Sequence, residues 1–139
     1  MTKERLREYR DLRKELEQVK LKVEALETAL YSPKTQRLTG MPSSPPSGGN
    51  AVENMASKHL ELLEYYRAKE KELATEQLAI EKAIDSLDYQ ERTLLRLYYI
   101  DGLTWEEVCV VVHFSWTHVH RIHGNALKKL KERDEAQAQ

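Results

Sequence analysis

The stretch "LTWEEVCVVVHFSWTHVHRIHGNALKKLK", Leu103 to Lys131, decides the fold of the region around it. Thr104 is positioned as the N-cap of a short apolar helix, and Glu107 three residues later completes a capping box. The residues "HFS" then break the helix, and Ser115 is positioned to cap a longer helix. Two helices joined by such a short turn are typical of a helix-turn-helix. We therefore predict that motif here.

The flanking residues add a helix before the motif and a basic surface at its end. "LDYQERTLLRLYYIDG" predicts a helix that begins after Leu87 and stops at Gly102. Its predicted inward residues are Leu94, Leu95, Leu97 and Tyr98. The predicted buried stripe of the last helix is Val119, Ile122, Ala126, Leu127 and Leu130. Residues 115–133 carry five Lys or Arg against one Glu, so the formal net charge of −1 conceals a basic patch.

The face opposite that stripe has the side chains that a recognition helix presents to the major groove. Arg121 can bond guanine in a bidentate manner, and Trp116 and Thr117 can contact a thymine methyl group. Lysines further along are placed for phosphate, which positions the protein without specifying sequence. The predicted DNA-binding residues are Ser115, Trp116, Thr117, His118, His120, Arg121, Lys128 and Lys129.

Four histidines, His113, His118, His120 and His123, lie within eleven residues of this stretch. Together with Cys109 they include pairs at metal-ligand spacing, but the pairs lie on two helices with different faces. No nucleophile with an oriented base accompanies them. We therefore expect no metal, no cofactor and no enzymatic activity. His118 and His120 are assigned to the nucleic-acid surface, and His113 and His123 to structural roles.

An apolar patch is predicted on the first helix of the motif. In "VCVVV", Val108, Cys109 and Val112 would face the core, which leaves Val110 and Val111 outward. With Trp105 nearby, these residues form a candidate partner-binding surface. The alternative is an ordinary scatter of exposed valines.

In the first half of the chain the apolar residues have a different spacing, which is typical of long paired helices. In residues 3–31 the apolar residues follow alternating steps of three and four, which is the heptad pattern. The rhythm resumes over about residues 52–86, after a connector at 32–50 that is rich in Pro, Gly and Ser. We predict an all-α fold with an antiparallel, coiled-coil-like helical hairpin. Parallel pairing between two chains is the alternative. The predicted seams are Tyr9, Leu12, Leu16, Val19, Val23, Leu26 and Leu30, and Val52, Met55, His59, Leu62, Tyr66, Leu73, Ile80 and Leu87.

The predicted organisation is a hairpin over residues 1–86, a helix-turn-helix over 87–133 and a disordered tail over 134–139. Cys109 is the single cysteine, which excludes an internal disulfide and fits a reducing compartment. The first residues are too charged for a signal peptide, and no apolar run approaches the roughly 20 residues that span a bilayer. We expect a cytoplasmic protein with no membrane partner.

Residues 87–131 resemble the helix-turn-helix of region four of bacterial sigma factors. The helix entry of that pattern corresponds to Leu103, Thr104, Glu106, Glu107 and Val108, and its second run to Ser115, Val119, Ile122, Ala126, Leu127 and Leu130. More narrowly, the layout resembles small phage-encoded regulators, the RinA- and ArpU-like activators of late transcription. The sequence departs from the pattern at the turn, where His113 replaces the usual glycine.

The resemblance implies double-stranded DNA as the partner, with contacts at Trp116, Thr117, His120 and Arg121. It implies a phage or prophage transcriptional activator that acts at a promoter in a bacterial host cell, with RNA polymerase as a candidate second partner. The helical arm would make it a homodimer. Two other functions fit the same layout. One is a DNA-packaging protein of the small-terminase kind, and the other is a polymerase-binding adaptor that does not recognise DNA.

Overall fold

The computed structural model describes residues 1–31 and 47–138, which it places mainly in α-helices. The helices are α1 (Lys3–Tyr31), α2 (Ser47–Ile84), α3 (Tyr89–Leu95), α4 (Trp105–Val112) and α5 (Trp116–Gln137). The described residues contain no strand, so the all-α prediction is confirmed. Within the same residues no helix combines the length and the apolar character that crossing a membrane requires.

The two long helices begin and end close to the predicted positions. α1 spans Lys3–Tyr31 as expected, whereas α2 begins at Ser47, earlier than the predicted residue 52. Most of the predicted connector, residues 32–46, lies outside the described residues.

Contacts divide the chain into two compact units. One unit combines Met1–Lys14 with Glu72–Gln139, and the other is Glu15–Lys71. The first fourteen residues therefore belong with the helix-turn-helix, a grouping that differs from the predicted segments 1–86 and 87–133. The reason is that side chains of α1 bond directly to the backbone that precedes α4, as described below. Heptad spacing shows which face of a helix is apolar, but not which neighbour covers it.

The unit Glu15–Lys71 is an antiparallel pair of helical segments. Nε2 of His59 lies 3.2 Å from Oε1 of Glu27, while Tyr66 lies within electrostatic range of Lys20. Leu16 and Val23 are buried, and the other seam residues of this unit are half-buried or, at Val52, exposed. The predicted seam is correct, but most of its side chains remain partly exposed.

The other unit contains the helix-turn-helix and a tightly buried core. That core is formed by Leu94, Val108, Val119 and Ile122, with Leu97, Tyr98, Leu103, Trp105, Cys109, Val112 and Phe114 packed against it. A fully buried aliphatic side chain contributes roughly 1.5–3 kcal/mol relative to an exposed one. These residues come from α3, α4 and α5 and from the segments that join them, so the core fixes the geometry of the motif.

The helix before the motif contains one π-helical turn, Arg96–Ile100, directly after α3. The amide of Asp101 donates to the carbonyl of Arg96 at 2.8 Å, a bond across five residues rather than four. The wider turn shifts the phase of the helix, so Tyr99 is buried although it was not among the predicted inward residues. Leu94 and Leu95 are buried as predicted, whereas Leu97 and Tyr98 are half-buried. The backbone then reverses at Gly102, whose φ of +76° suits glycine.

The C-terminal residues form part of α5 rather than the predicted disordered tail, since the helix continues to Gln137. The amide of Ala138 still donates to the carbonyl of Asp134 at 3.0 Å. The sequence "RDEAQAQ" lacks glycine and proline, so nothing in it ends a helix that a packed segment has already nucleated.

Candidate nucleic-acid interface

Local hydrogen bonds fix the start of both helices of the motif. The hydroxyl of Thr104 accepts from the amide of Glu107 at 3.2 Å, as the N-cap prediction requires, and donates to the Glu107 carboxylate at 3.2 Å. The hydroxyl of Ser115 accepts from the amide of His118 at 3.2 Å. Each cap satisfies an amide that would otherwise lack a partner. Ser115 therefore has a structural role, whatever its hydroxyl contacts in a complex.

The turn between the helices depends on His113, which takes the left-handed conformation with a φ of 59°. The amide of Phe114 donates to the carbonyl of Cys109 at 3.3 Å and closes the end of α4. This conformation favours glycine and is strained for other residues. His113 therefore has its structural role through the left-handed conformation of its backbone, which forms the turn. Its side chain is exposed.

The outward face of α5 carries most of the predicted contacts. Trp116 is 51% exposed, and Thr117, Arg121 and Lys128 are also exposed. Val119, Ile122 and Ala126 are buried on the opposite side, as predicted. The helix therefore presents an indole, a hydroxyl and two cations to solvent from one face.

Arg121 is held by its neighbour one turn back. Its Nη2 lies 2.9 Å from Nδ1 of His118. A guanidinium can only donate, so Nδ1 of His118 is the acceptor in this bond. The ring of Phe114 packs against His118 at 4.6 Å between centroids. Arg121 is thus positioned before any ligand arrives, which reduces the entropy that its immobilisation would cost.

An aromatic stack occupies the other edge of α5. The ring of His120 lies between Trp116, at 4.4 Å between centroids, and Trp105, at 4.8 Å. Trp105 in turn stacks on Tyr98 at 3.9 Å with an interplanar angle of 12°. Trp105 is therefore half-buried against the core and does not extend the predicted apolar patch. His120 is half-buried as well, and within the described residues its Nε2 has no hydrogen-bond partner.

Lys129 differs from the other predicted contacts because its ammonium is already paired. Nζ lies 2.6 Å from Oε1 of Glu91, whose side chain is buried, and 3.4 Å from Oδ2 of Asp88. The hydrogen bond to Glu91 is the main cause that raises the pKa of Lys129. A buried carboxylate that lost its partner would be strongly destabilising. We therefore assign Lys129 to the α3–α5 contact, and Lys128 remains the better candidate for phosphate.

His123 has the structural role that the sequence predicted. It is buried, and its Nε2 lies 2.8 Å from the hydroxyl of Tyr99. Burial is the main cause that lowers the pKa of His123 to about 4, and burial also raises the pKa of Tyr99 to about 12. The phenol therefore remains protonated and donates to a neutral imidazole at neutral pH.

Two arginines of α1 were not among the predicted site residues, yet they hold the helix-turn-helix in place. Arg10 donates to the carbonyl of Tyr98 at 2.9 Å and to that of Leu103 at 3.1 Å, and its guanidinium lies 4.1 Å from the centroid of the Tyr98 ring. Arg13 donates to the carbonyl of Ile100. These carbonyls lie where the π-helical turn ends, so they lack helical partners. Arg10 and the carbonyls that it contacts are about 90 residues apart along the chain, so the sequence pattern could not predict these bonds.

The remaining predicted features are the valine patch and the absence of a metal site. Val110 is 71% exposed and Val111 is 53% exposed, as a partner-binding surface requires. In the part of the chain that the structure describes, no group of three or more His, Cys, Asp or Glu side chains could hold a metal ion.

The comparison with known families agrees with this geometry. Residues 83–132 match the family described as "Sigma-70, region 4". No curated protein and no solved structure matches the chain. The matched segment contains α3, α4 and most of α5, so it covers the described helix-turn-helix and ends before α5 does. The match indicates a DNA-binding helix-turn-helix domain with a role related to transcription.

Proposed function

We propose that this chain is a sequence-specific DNA-binding transcriptional regulator, a phage or prophage activator that acts at a promoter with host RNA polymerase. The observation that carries the proposal is the exposed face of α5. Trp116, Thr117 and Arg121 lie in its first two turns, opposite the buried stripe, in a segment that matches sigma region four. The N-terminal half of a recognition helix is the part that contacts base edges.

Each side chain of that face has a distinct role in the proposal. Arg121, held by His118, donates two parallel hydrogen bonds to guanine. Trp116 and Thr117 contact a thymine methyl group or the adjacent sugar. His120 offers a ring nitrogen, and Lys128 binds phosphate. In this arrangement the side chains of the first two turns of α5 recognise the base sequence, and Lys128 adds affinity that does not depend on sequence.

The same proposal includes a homodimer formed through the unit Glu15–Lys71. The support for it is that this unit exposes large apolar residues, namely Leu21, Leu60 and Tyr65, and covers its seam incompletely. A two-fold dimer would present two copies of α5 to two half-sites. Sedimentation over a range of concentrations should detect the dimer, and a monomer at every concentration would contradict it.

The test of the proposed function is selection of bound fragments from a random duplex pool. Wild type should enrich a motif, whereas Arg121→Ala should lose the preference at one guanine, with a cost of about 1–3 kcal/mol there. Arg67→Ala is the matched control, because it removes an exposed arginine of α2 in the other unit. Absence of any enriched motif for wild type would contradict the proposal.

A polymerase-binding adaptor is the second candidate, and the exposed pair Val110 and Val111 favours it. The two functions differ in their response to mutation. For an adaptor, Val111→Glu should abolish polymerase binding, and Arg121→Ala should leave the regulatory effect intact. A ring of many subunits with no sequence preference would instead indicate a packaging protein.

A further inference from the structure

The first turns of α1 carry a stripe of basic residues on one face. Lys3, Arg7, Arg10 and Lys14 are spaced by four, three and four residues, which places them along the same side of the helix. The apolar residues Leu6 and Tyr9 are buried on another side. The stripe is therefore separate from the face that packs on α2.

The contacts of Arg10 show which part of the molecule the stripe adjoins. Arg10 bonds to the carbonyl of Tyr98 and covers its ring, and Tyr98 stacks on Trp105. Trp105 packs against His120 in the second turn of α5. A continuous series of contacts thus runs from the stripe to the N-terminal half of the proposed recognition helix.

Lys3 and Arg7 lie within electrostatic range of His123, and the neighbouring Met1 amine forms an ion pair with Asp134 of α5. The charges of Lys3 and Arg7 both contribute, after burial, to the lowered pKa of His123 in the third turn of α5. Both side chains are exposed, and within the described residues neither forms an ion pair or a hydrogen bond through its side chain. By contrast, Arg5 on the other side of α1 forms a bidentate pair with Glu76, at 2.5 and 3.0 Å.

Two unpaired cations beside a recognition helix are placed to bind the phosphate backbone of the same duplex. We propose that Lys3 and Arg7 contact DNA phosphates next to the groove that α5 occupies, so that α1 extends the nucleic-acid interface beyond the helix-turn-helix. The inference rests on the proposed function and adds a second binding element to it. Phosphate contacts of this kind increase affinity for every sequence and set the orientation of the protein on the duplex.

The test is a salt titration of the full chain on a random-sequence duplex of roughly 40 base pairs. The double variant Lys3→Gln with Arg7→Gln should lower the slope of log affinity against log salt by about 1.8, since each lost phosphate contact removes about 0.9. Affinity at low salt should fall by about tenfold. The matched control is Lys20→Gln with Lys22→Gln, which removes the same charge from exposed positions of the same helix in the other unit.

Further variants separate the inference from the proposed function. Lys3→Arg with Arg7→Lys keeps both charges and should keep the wild-type slope. Lys128→Gln should lower the slope by about 0.9 through α5 itself. A wild-type slope for the Lys3→Gln and Arg7→Gln variant, or an equal loss in the Lys20 and Lys22 control, would overturn the inference while Lys128→Gln still supports binding through α5. A flat slope for wild type would overturn the inference and the proposed function together.

Discussion

The two compact units bury their apolar residues to different extents. Among the described residues of Glu15–Lys71, Leu16 and Val23 are the buried hydrophobics, and the seam around them is half-exposed. In the unit that contains the helix-turn-helix, residues from several elements are almost completely buried, and the buried His123 has a hydrogen-bond partner in Tyr99. The difference shows that a two-helix seam by itself covers one stripe, whereas three or more short helices enclose a core.

The difference in burial also agrees with a different proposed role for each unit. A helix-turn-helix must hold the side chains of α5 in fixed positions, because a contact to a base edge depends on geometry. An incompletely covered seam is suited instead to pairing with another helix. The three predictions that follow test whether the two units differ in the way that burial indicates.

Removal of a core leucine should have the largest effect. Leu94→Ala should lower the free energy of unfolding by about 3 kcal/mol, because the fully buried side chain leaves a cavity. The matched substitution Leu26→Ala, at a half-buried seam position of the other unit, should cost about 1 kcal/mol. Urea unfolding should be followed by circular dichroism, which reports the helices of both units, because Trp105 and Trp116 both lie in the helix-turn-helix unit. Equal losses for the two variants would contradict the comparison.

A change of pH should have a smaller effect, confined to the helix-turn-helix unit. The pKa of His123 is lowered to about 4 in the folded chain from an ordinary 6.5, so the unfolded chain takes up a proton first as pH falls. The stabilisation is fully present above pH 6.5 and is lost as pH falls toward and through 4, with a loss of about 2 kcal/mol by pH 5. Comparison of unfolding in wild type and His123→Gln across this window measures the effect. A variant that loses as much stability as wild type would show that His123 is not the group responsible.

A single substitution in the turn should have the smallest effect, and it should stabilise. His113→Gly should raise the free energy of unfolding by about 0.5–1 kcal/mol, because glycine adopts the left-handed conformation at φ 59° without a steric penalty. The melting temperature followed by circular dichroism would detect it. A lower melting temperature would indicate that the His113 side chain stabilises the turn.

The sequence predicted those features of the site that depend on near neighbours along the chain. The caps at Thr104 and Ser115 involve residues three positions apart, so the pattern of side chains specifies them. The buried stripe of Val119, Ile122 and Ala126 follows from the helical period. The same reasoning missed the burial of Tyr99, because the π-helical turn changed the period.

Contacts between distant segments could not be predicted in this way. Lys129 is spaced like a phosphate contact on α5, but Glu91 lies beside it only once α3 packs against α5. Trp105 lies near the outward valines in the sequence, which suggested that it belongs to a surface patch. In the fold its ring stacks on Tyr98 instead. In both cases the pattern fixes which face a residue occupies on its own helix, while the partner on that face comes from another element.

The sequence by itself determined that this chain is helical, where most helices begin and end, and that residues 115–133 are basic. Helical period, capping and charge are local properties, and they act before any tertiary contact forms. Only the tertiary structure decided that the first fourteen residues join the helix-turn-helix, that Lys129 is paired and that Lys3 and Arg7 lie near α5. Those outcomes depend on packing between segments separated by tens of residues, since burial and electrostatic neighbours are properties of the assembled fold.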